Sequence, residues 1–377
     1  MANVIMAPSL LLAIAAMATI SLVHAGTNPP PLFAFGDHFS DVGNNNGFPG
    51  AIRADHPHYG IDFPGGVPTG RFSNGYNIID YIAQLMGFEQ SPRAFLSGPL
   101  TDDDIYKGIN FASAGSGILR KCVEGGTTKC LTMEMQINYF KQVKSFLESK
   151  LGAEAAGELI SKSVFIFTLG SNDLSAFSLT SNLIDKFVFN LTSSFSDQLK
   201  ELYDLGARKF AVINVPRLGF FPEASLINLI GFLGIDIQGI LNMFSELFNA
   251  AQDLLLKELF STLPGMKYSI GSANAVHEHI LDNHEELGFK YVSKPCCGAV
   301  RFVALPPHVE VIKCTPQASY CSNRGEYVFW DHLNPTQELY DYVSKVYYYG
   351  NRTFAYPINF GELVEYESSA GGGLEAI

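Results

Sequence analysis

A chain of 377 residues, 47% hydrophobic and 16% charged, has the make-up of a folded globular protein and is long enough for one large α/β domain or two small ones. Its formal net charge is −12, and no Lys/Arg-rich run occurs. That excludes the basic footprint a nucleic-acid partner requires and disfavours anionic membrane surfaces.

Residues 8–23 are almost wholly apolar, and Val23-His24-Ala25 precedes Gly26. This is the pattern of a secretory signal cut after Ala25. Its first residues carry no Lys or Arg, and the stretch is shorter than the roughly 20 apolar residues of a membrane span. The expected layout is therefore a signal peptide over 1–25, one domain over 26–366 and a disordered tail over 367–377. No later segment is apolar enough for an integral span, so the expected location is outside the cell or in the lumen of the secretory pathway or vacuole.

Apolar runs predict strands at 32–35, 105–111, 164–169, 209–215 and 266–270. Helical spacing marks 76–86, 135–148, 183–205 and a long segment within 224–263, and Pro335 at the first helical position opens a last helix towards 346. Strands alternating with helices predict a three-layer α/β/α fold, with a central parallel sheet of about five strands covered on both faces.

Six cysteines, Cys122, Cys130, Cys296, Cys297, Cys314 and Cys321, suit an exported protein with three disulfides. Cys122 and Cys130 bracket a short Gly/Thr-rich loop and are expected to pair. The other four leave three pairings open, of which the vicinal Cys296–Cys297 bond is the most strained. The spacing lacks the paired pattern of a zinc site, so no metal is expected, and no motif calls for a cofactor. Asn190-Leu-Thr and Asn351-Arg-Thr are glycosylation sequons. His277, His279 and His284 lack metal-ligand spacing and read as surface histidines.

In a doubly wound sheet, ligands bind beyond the carboxyl ends of the strands. The loops there read Gly36-Asp37-His38-Phe39-Ser40-Asp41, then Asn110-Phe111-Ala112-Ser113-Ala114-Gly115, then Gly170-Ser171-Asn172-Asp173. A fourth cluster, Phe329-Trp330-Asp331-His332-Leu333-Asn334, precedes the last helix. In order and spacing these segments resemble blocks I, II, III and V of the GDSL, or SGNH, hydrolases in their plant secreted branch. Residues 59–75, 205–210 and Cys296-Cys297-Gly298 match that branch too, and the likeness runs from about Leu32 to Tyr347. One departure is Gly219-Phe220-Phe221-Pro222, where the branch usually carries Gly-Cys-x-Pro.

The resemblance implies the SGNH-hydrolase (flavodoxin-like) fold and carboxylic-ester hydrolysis of lipid or phenolic esters, with a small ester, acid or lipid as ligand. It places the nucleophilic serine at position 38 and the base histidine at position 334, but His38 and Asn334 stand there. Asp331 keeps the triad acid position, and Gly115 and Asn172 match the oxyanion-hole donors. The expectation is a catalytically impaired member that retains a carbonyl pocket. Ser40 is read as pointing elsewhere, and His38 as a ring filling the pocket and hydrogen-bonded to Asp331 or Asn334. The rival readings are an active esterase or acyltransferase rewired through His38 or through His332 as substitute base, and a nonfunctional duplicate. Protein partners are not legible.

Overall fold

The computed structural model describes residues 29–119, 129–177, 183–222, 224–225, 236–304 and 307–366. The expected signal peptide and tail lie outside the described residues. Five parallel strands, β1 (Leu32–Gly36), β2 (Gly108–Asn110), β3 (Val164–Thr168), β4 (Lys209–Ile213) and β5 (Lys267–Gly271), lie in the order 2-1-3-4-5. Beyond β5 the two-residue β10 (Ala355–Tyr356) adds an antiparallel edge. Small additions sit outside this sheet: β6 (Tyr291–Pro295) pairs with β9 (Tyr327–Phe329), and β7 (Ala299–Ala304) forms a hairpin with β8 (Pro307–Ile312).

The central strands β1, β3 and β4 read as largely apolar runs because helices bury both faces. On one face Phe33, Phe35, Phe165, Phe167 and Phe210 form a single core with α3 (Met133–Leu151), α6 (Ile184–Asp204) and α7 (Ile237–Thr262). Their rings are layered strand to strand, with Phe35 and Phe167 stacked at 5.3 Å. The alternate residues Leu32, Ala34, Val164, Ile166 and Ala211 pack on α1 (Ile78–Met86), α8 (Ala273–Asn283) and α9 (Gln337–Tyr349). The strand order reverses between β1 and β3, which makes the switch point where such sheets bind ligands.

Two boundaries depart from the sequence reading. The strand expected over 105–111 begins as α2 (Asp102–Lys107), because three aspartates in its first turn and a Thr101 capping box favour a helix start. Only Gly108–Asn110 remains extended. Pro335 is not the first helical residue: Thr336 caps α9, its hydroxyl accepting from the Leu339 N–H, and Pro335 bridges back to Phe329. The short helices α4 (Ala153–Lys162), α5 (Ser171–Ser175) and α10 (Phe360–Glu365) were not anticipated. Among the described residues, Cys296 bonds Cys321 and Cys297 bonds Cys314, so the vicinal pairing is avoided. Cys122, the expected partner of Cys130, lies outside the described residues.

Candidate functional site

Four loops converge at the carboxyl edge of β1, β2 and β3. The first carries Asp37 and His38 directly after β1, and its turn is held by buried polar atoms. Asp41 accepts the N–H groups of Gly43 and Asn44 through Oδ1, each at 2.8 Å, and that of Ala114 through Oδ2 at 2.9 Å. Gln136, projecting from α3, bonds both the N–H and the carbonyl of Gly36 at 2.9 Å. Ser40 pairs with Thr168 Oγ1 at 2.6 Å and is fully buried, so its hydroxyl faces the sheet.

The second loop turns at Gly115, whose φ of 86° lies in the left-handed region that a side chain disfavours. Its N–H donates to no acceptor among the described residues. Asp173 pins the far side of this loop by accepting from the Ile118 and Leu119 N–H groups, at 2.9 and 3.1 Å. That approach requires Gly117, since a Cβ there would stand 2.6 Å from the Asp173 carboxylate. Asn172 donates one amide hydrogen to the Ser116 carbonyl at 2.7 Å. An amide nitrogen carries two hydrogens, and this bond uses one of them.

Asp331, in the fourth loop, is 1% exposed and heavily hydrogen-bonded. Oδ2 accepts from the Tyr59 hydroxyl at 2.6 Å, and Oδ1 accepts from the Leu333 and Asn334 N–H groups, each at 2.8 Å. The Asn334 side-chain nitrogen donates to both carboxylate oxygens, at 3.0 and 2.9 Å. Its own Oδ1 is buried without a partner.

His38 is 7% exposed, and its Nε2 is likewise buried and unpartnered. Its Nδ1 stands 3.9 Å from Asp37, beyond hydrogen-bonding range. The expected hydrogen bond from His38 to Asp331 or Asn334 is therefore not formed; the ring packs on Phe39 instead, centroid to centroid at 4.2 Å. Burial pulls its pKa down to about 4, against the opposing pull of the Asp331 charge, so the ring is neutral at physiological pH. His332 adjoins Asp331, but its Nδ1 is 4.0 Å away and also unpartnered. Burial pushes Asp41 and Asp173 up to about 6 and Asp37 well above the carboxylate range.

A profile of the family described as GDSL-like Lipase/Acylhydrolase matches residues 32–346. A GDSL esterase/lipase of Arabidopsis thaliana is 34% identical over 342 residues, covering 89% of this chain and 85% of its own length. A second from the same plant is 35% identical over 325 residues, covering 83% and 86%. An anther-specific proline-rich protein of Brassica napus is 31% identical over 336 residues, covering 84% and 70%. The chain belongs to the GDSL lipase/acylhydrolase family.

For a GDSL-family chain the strand order 2-1-3-4-5 and the position of the four blocks follow the expected fold. The folding brings His38, Gly115, Asn172, Asp331, His332 and Asn334 to one edge of the sheet. Sequence reasoning assigned no role to Tyr59, Gln136, Asp41 or Asp173, which hold that edge in place. A signal existed for Tyr59, because it opens the 59–75 segment that carries the GDSL-family likeness. Among the described residues no helix is long and apolar enough to cross a membrane. The sequons differ in setting: Asn190 is exposed on α6, whereas exposed Asn351 sits in a turn where its Oδ1 accepts the Thr353 N–H.

Proposed function

We propose that this GDSL-family protein has lost the family's acyl-transfer chemistry and instead holds an intact carbonyl-bearing ligand, a small ester, acid or lipid, against Gly115 and Asn172. The observation that carries this reading is the bonding of Asn334. Its amide nitrogen gives the Asp331 carboxylate the N–H that an imidazole would give, while its far side is an oxygen that cannot take a proton at neutral pH. Acyl transfer needs an oxygen nucleophile set against a base whose tautomer a carboxylate fixes. His38 brings no hydroxyl. Loss of either nucleophile or base from such a triad costs on the order of 10⁶ in turnover, with roughly 10³–10⁴ over water remaining from oxyanion contacts and binding.

The separation of His332 from Asp331 argues against rewiring through that residue, since an unoriented imidazole is a poor base. His38 lacks an orienting partner in the same way. The donors at Gly115 and Asn172 support binding, because an unpaired N–H and a free amide hydrogen suit a carbonyl oxygen. Export belongs to the same proposal: the two disulfides suit an oxidising compartment.

A short-chain aryl ester titrated into the purified, glycosylated protein tests the reading. Saturable binding is expected, with the ester recovered intact and the affinity about threefold to tenfold weaker in Asn172→Ala. Consumption of the ester at enzymatic rates, or binding indifferent to Asn172→Ala, contradicts it.

A further inference from the structure

A cavity of about 110 Å³ lies between the sheet and the layer of α1, α8 and α9, and the proposed carbonyl contacts do not use it. Ile213, Val276, Ile280, Leu339 and Val343 make its wall largely apolar. Phe39 and Pro335, the chain neighbours of His38 and Asn334, also line it. The cavity thus lies beside the loops of the candidate site and has a composition of its own.

Two polar atoms interrupt that wall. Tyr340 and His277 both line the cavity, and the Tyr340 hydroxyl and His277 Nε2 are shielded from solvent with no hydrogen-bond partner. Tyr340 is 3% exposed. Elsewhere on the wall, Thr168 Oγ1 pairs with Ser40, and Asn214 Oδ1 accepts from the Ala273 N–H at 2.7 Å. A buried polar atom without a partner costs about 1–3 kcal/mol, and folded proteins leave few of them. Two on one apolar cavity call for a ligand that completes them.

Size and charge narrow its chemistry. An apolar cavity of about 150 Å³ takes a benzene, so this smaller one admits a ligand no larger than a single small ring. His277 is not the surface histidine the sequence suggested. Burial, and then the Arg217 charge, lower its pKa to about 4, so it brings no positive charge to an anion. The Asp331 carboxylate acts electrostatically on Tyr340 from its side, which repels an anion further. We infer that the cavity is a binding site for a small neutral one-ring alcohol or phenol, whose hydroxyl supplies the missing partner of Tyr340 or His277. This site is independent of the carbonyl site proposed above.

Phenol is the direct probe, with benzene as the ring lacking the hydroxyl and benzoate as the charged control, followed by calorimetry or by NMR of the whole glycosylated protein. Saturable phenol binding is expected, with benzene about threefold to tenfold weaker and benzoate not bound. Val343→Phe, which places a ring in the cavity from a half-buried position, removes phenol binding. Tyr340→Phe deletes one oxygen, preserves the packing and lowers phenol affinity about threefold to tenfold; it decides the matter should Val343→Phe not fold. Asn172→Ala leaves phenol binding unchanged, so this site and the carbonyl site fail separately. Absence of saturable phenol binding to the folded protein overturns the inference. So does phenol affinity unaltered in both Tyr340→Phe and His277→Leu, or benzoate binding as tightly as phenol.

Discussion

Asn334 and a histidine can both donate a hydrogen to a carboxylate, but only the histidine can then accept a proton on its far side. The hydrogen bonds around Asp331 therefore survive the substitution while the proton transfer does not. His38 is the second such residue, held neutral by burial. Its pKa falls from the ordinary 6.5 to about 4, so below pH 6.5 the unfolded chain takes up a proton that the folded chain refuses. The contribution of His38 to stability is thus present above pH 6.5 and lost as pH falls towards 4. Asp41 and Asp173, raised from 3.8 to about 6, act in the opposite sense: their contribution is present at low pH and lost as pH rises through 6. The two trends overlap, so a difference between variants isolates one of them. Between pH 7 and pH 4 the wild type is expected to lose ~3 kcal/mol more stability than His38→Gln, measured by urea unfolding. Parallel curves for the two proteins would show that His38 titrates freely. The residue types at 38 and 334 were legible in the sequence. Their unpaired atoms were not, because a hydrogen bond depends on tenths of an ångström between loops far apart in the chain.

At the scale of elements, the central strands β1, β3 and β4 were readable because burial on both faces leaves each a largely apolar run, whereas β2 keeps only three residues of the strand expected over 105–111. The strand β10 was not, since two residues carry no period. The ribbons β6–β9 and β7–β8 escaped for a related reason: β6 is largely exposed and shows no apolar face. These ribbons nonetheless matter to the site. The Cys296 and Cys297 N–H groups donate to the Phe329 and Trp330 carbonyls, at 3.0 and 2.6 Å, directly before Asp331. The cysteines share a small buried cluster with Tyr59 and Trp330. Their two disulfides therefore tether the loop that presents Asp331 and Asn334. Replacing Cys297 and Cys314 together by Ser removes a cross-link of sequence separation 17 and is expected to cost about 3 kcal/mol. Faster amide exchange over residues 329–334 should accompany the loss. Unchanged exchange there would mean that the tether does not position the site.

For the molecule as a whole, family membership is established, and the loss of the family's activity is the proposal. The ordered blocks made the fold and the family legible from the sequence, since they are contiguous stretches; the arrangement of Tyr59, Gln136, Asp41 and Asp173 behind them required the folded chain. The proposed export makes a further prediction, that the mature protein begins at Gly26 and carries glycans at Asn190 and Asn351. N-terminal sequencing and a glycosidase mobility shift, lost in steps in Asn190→Gln and Asn351→Gln, check it; an uncleaved, unmodified chain from a plant secretory host would contradict it. The most direct measurement of the proposed loss is hydrolysis of a short-chain aryl ester by the unmodified protein beside the double variant His38→Ser/Asn334→His. The variant is expected to turn over orders of magnitude faster, with Asp331 orienting the restored histidine; equal rates in the two proteins would contradict the loss of acyl transfer.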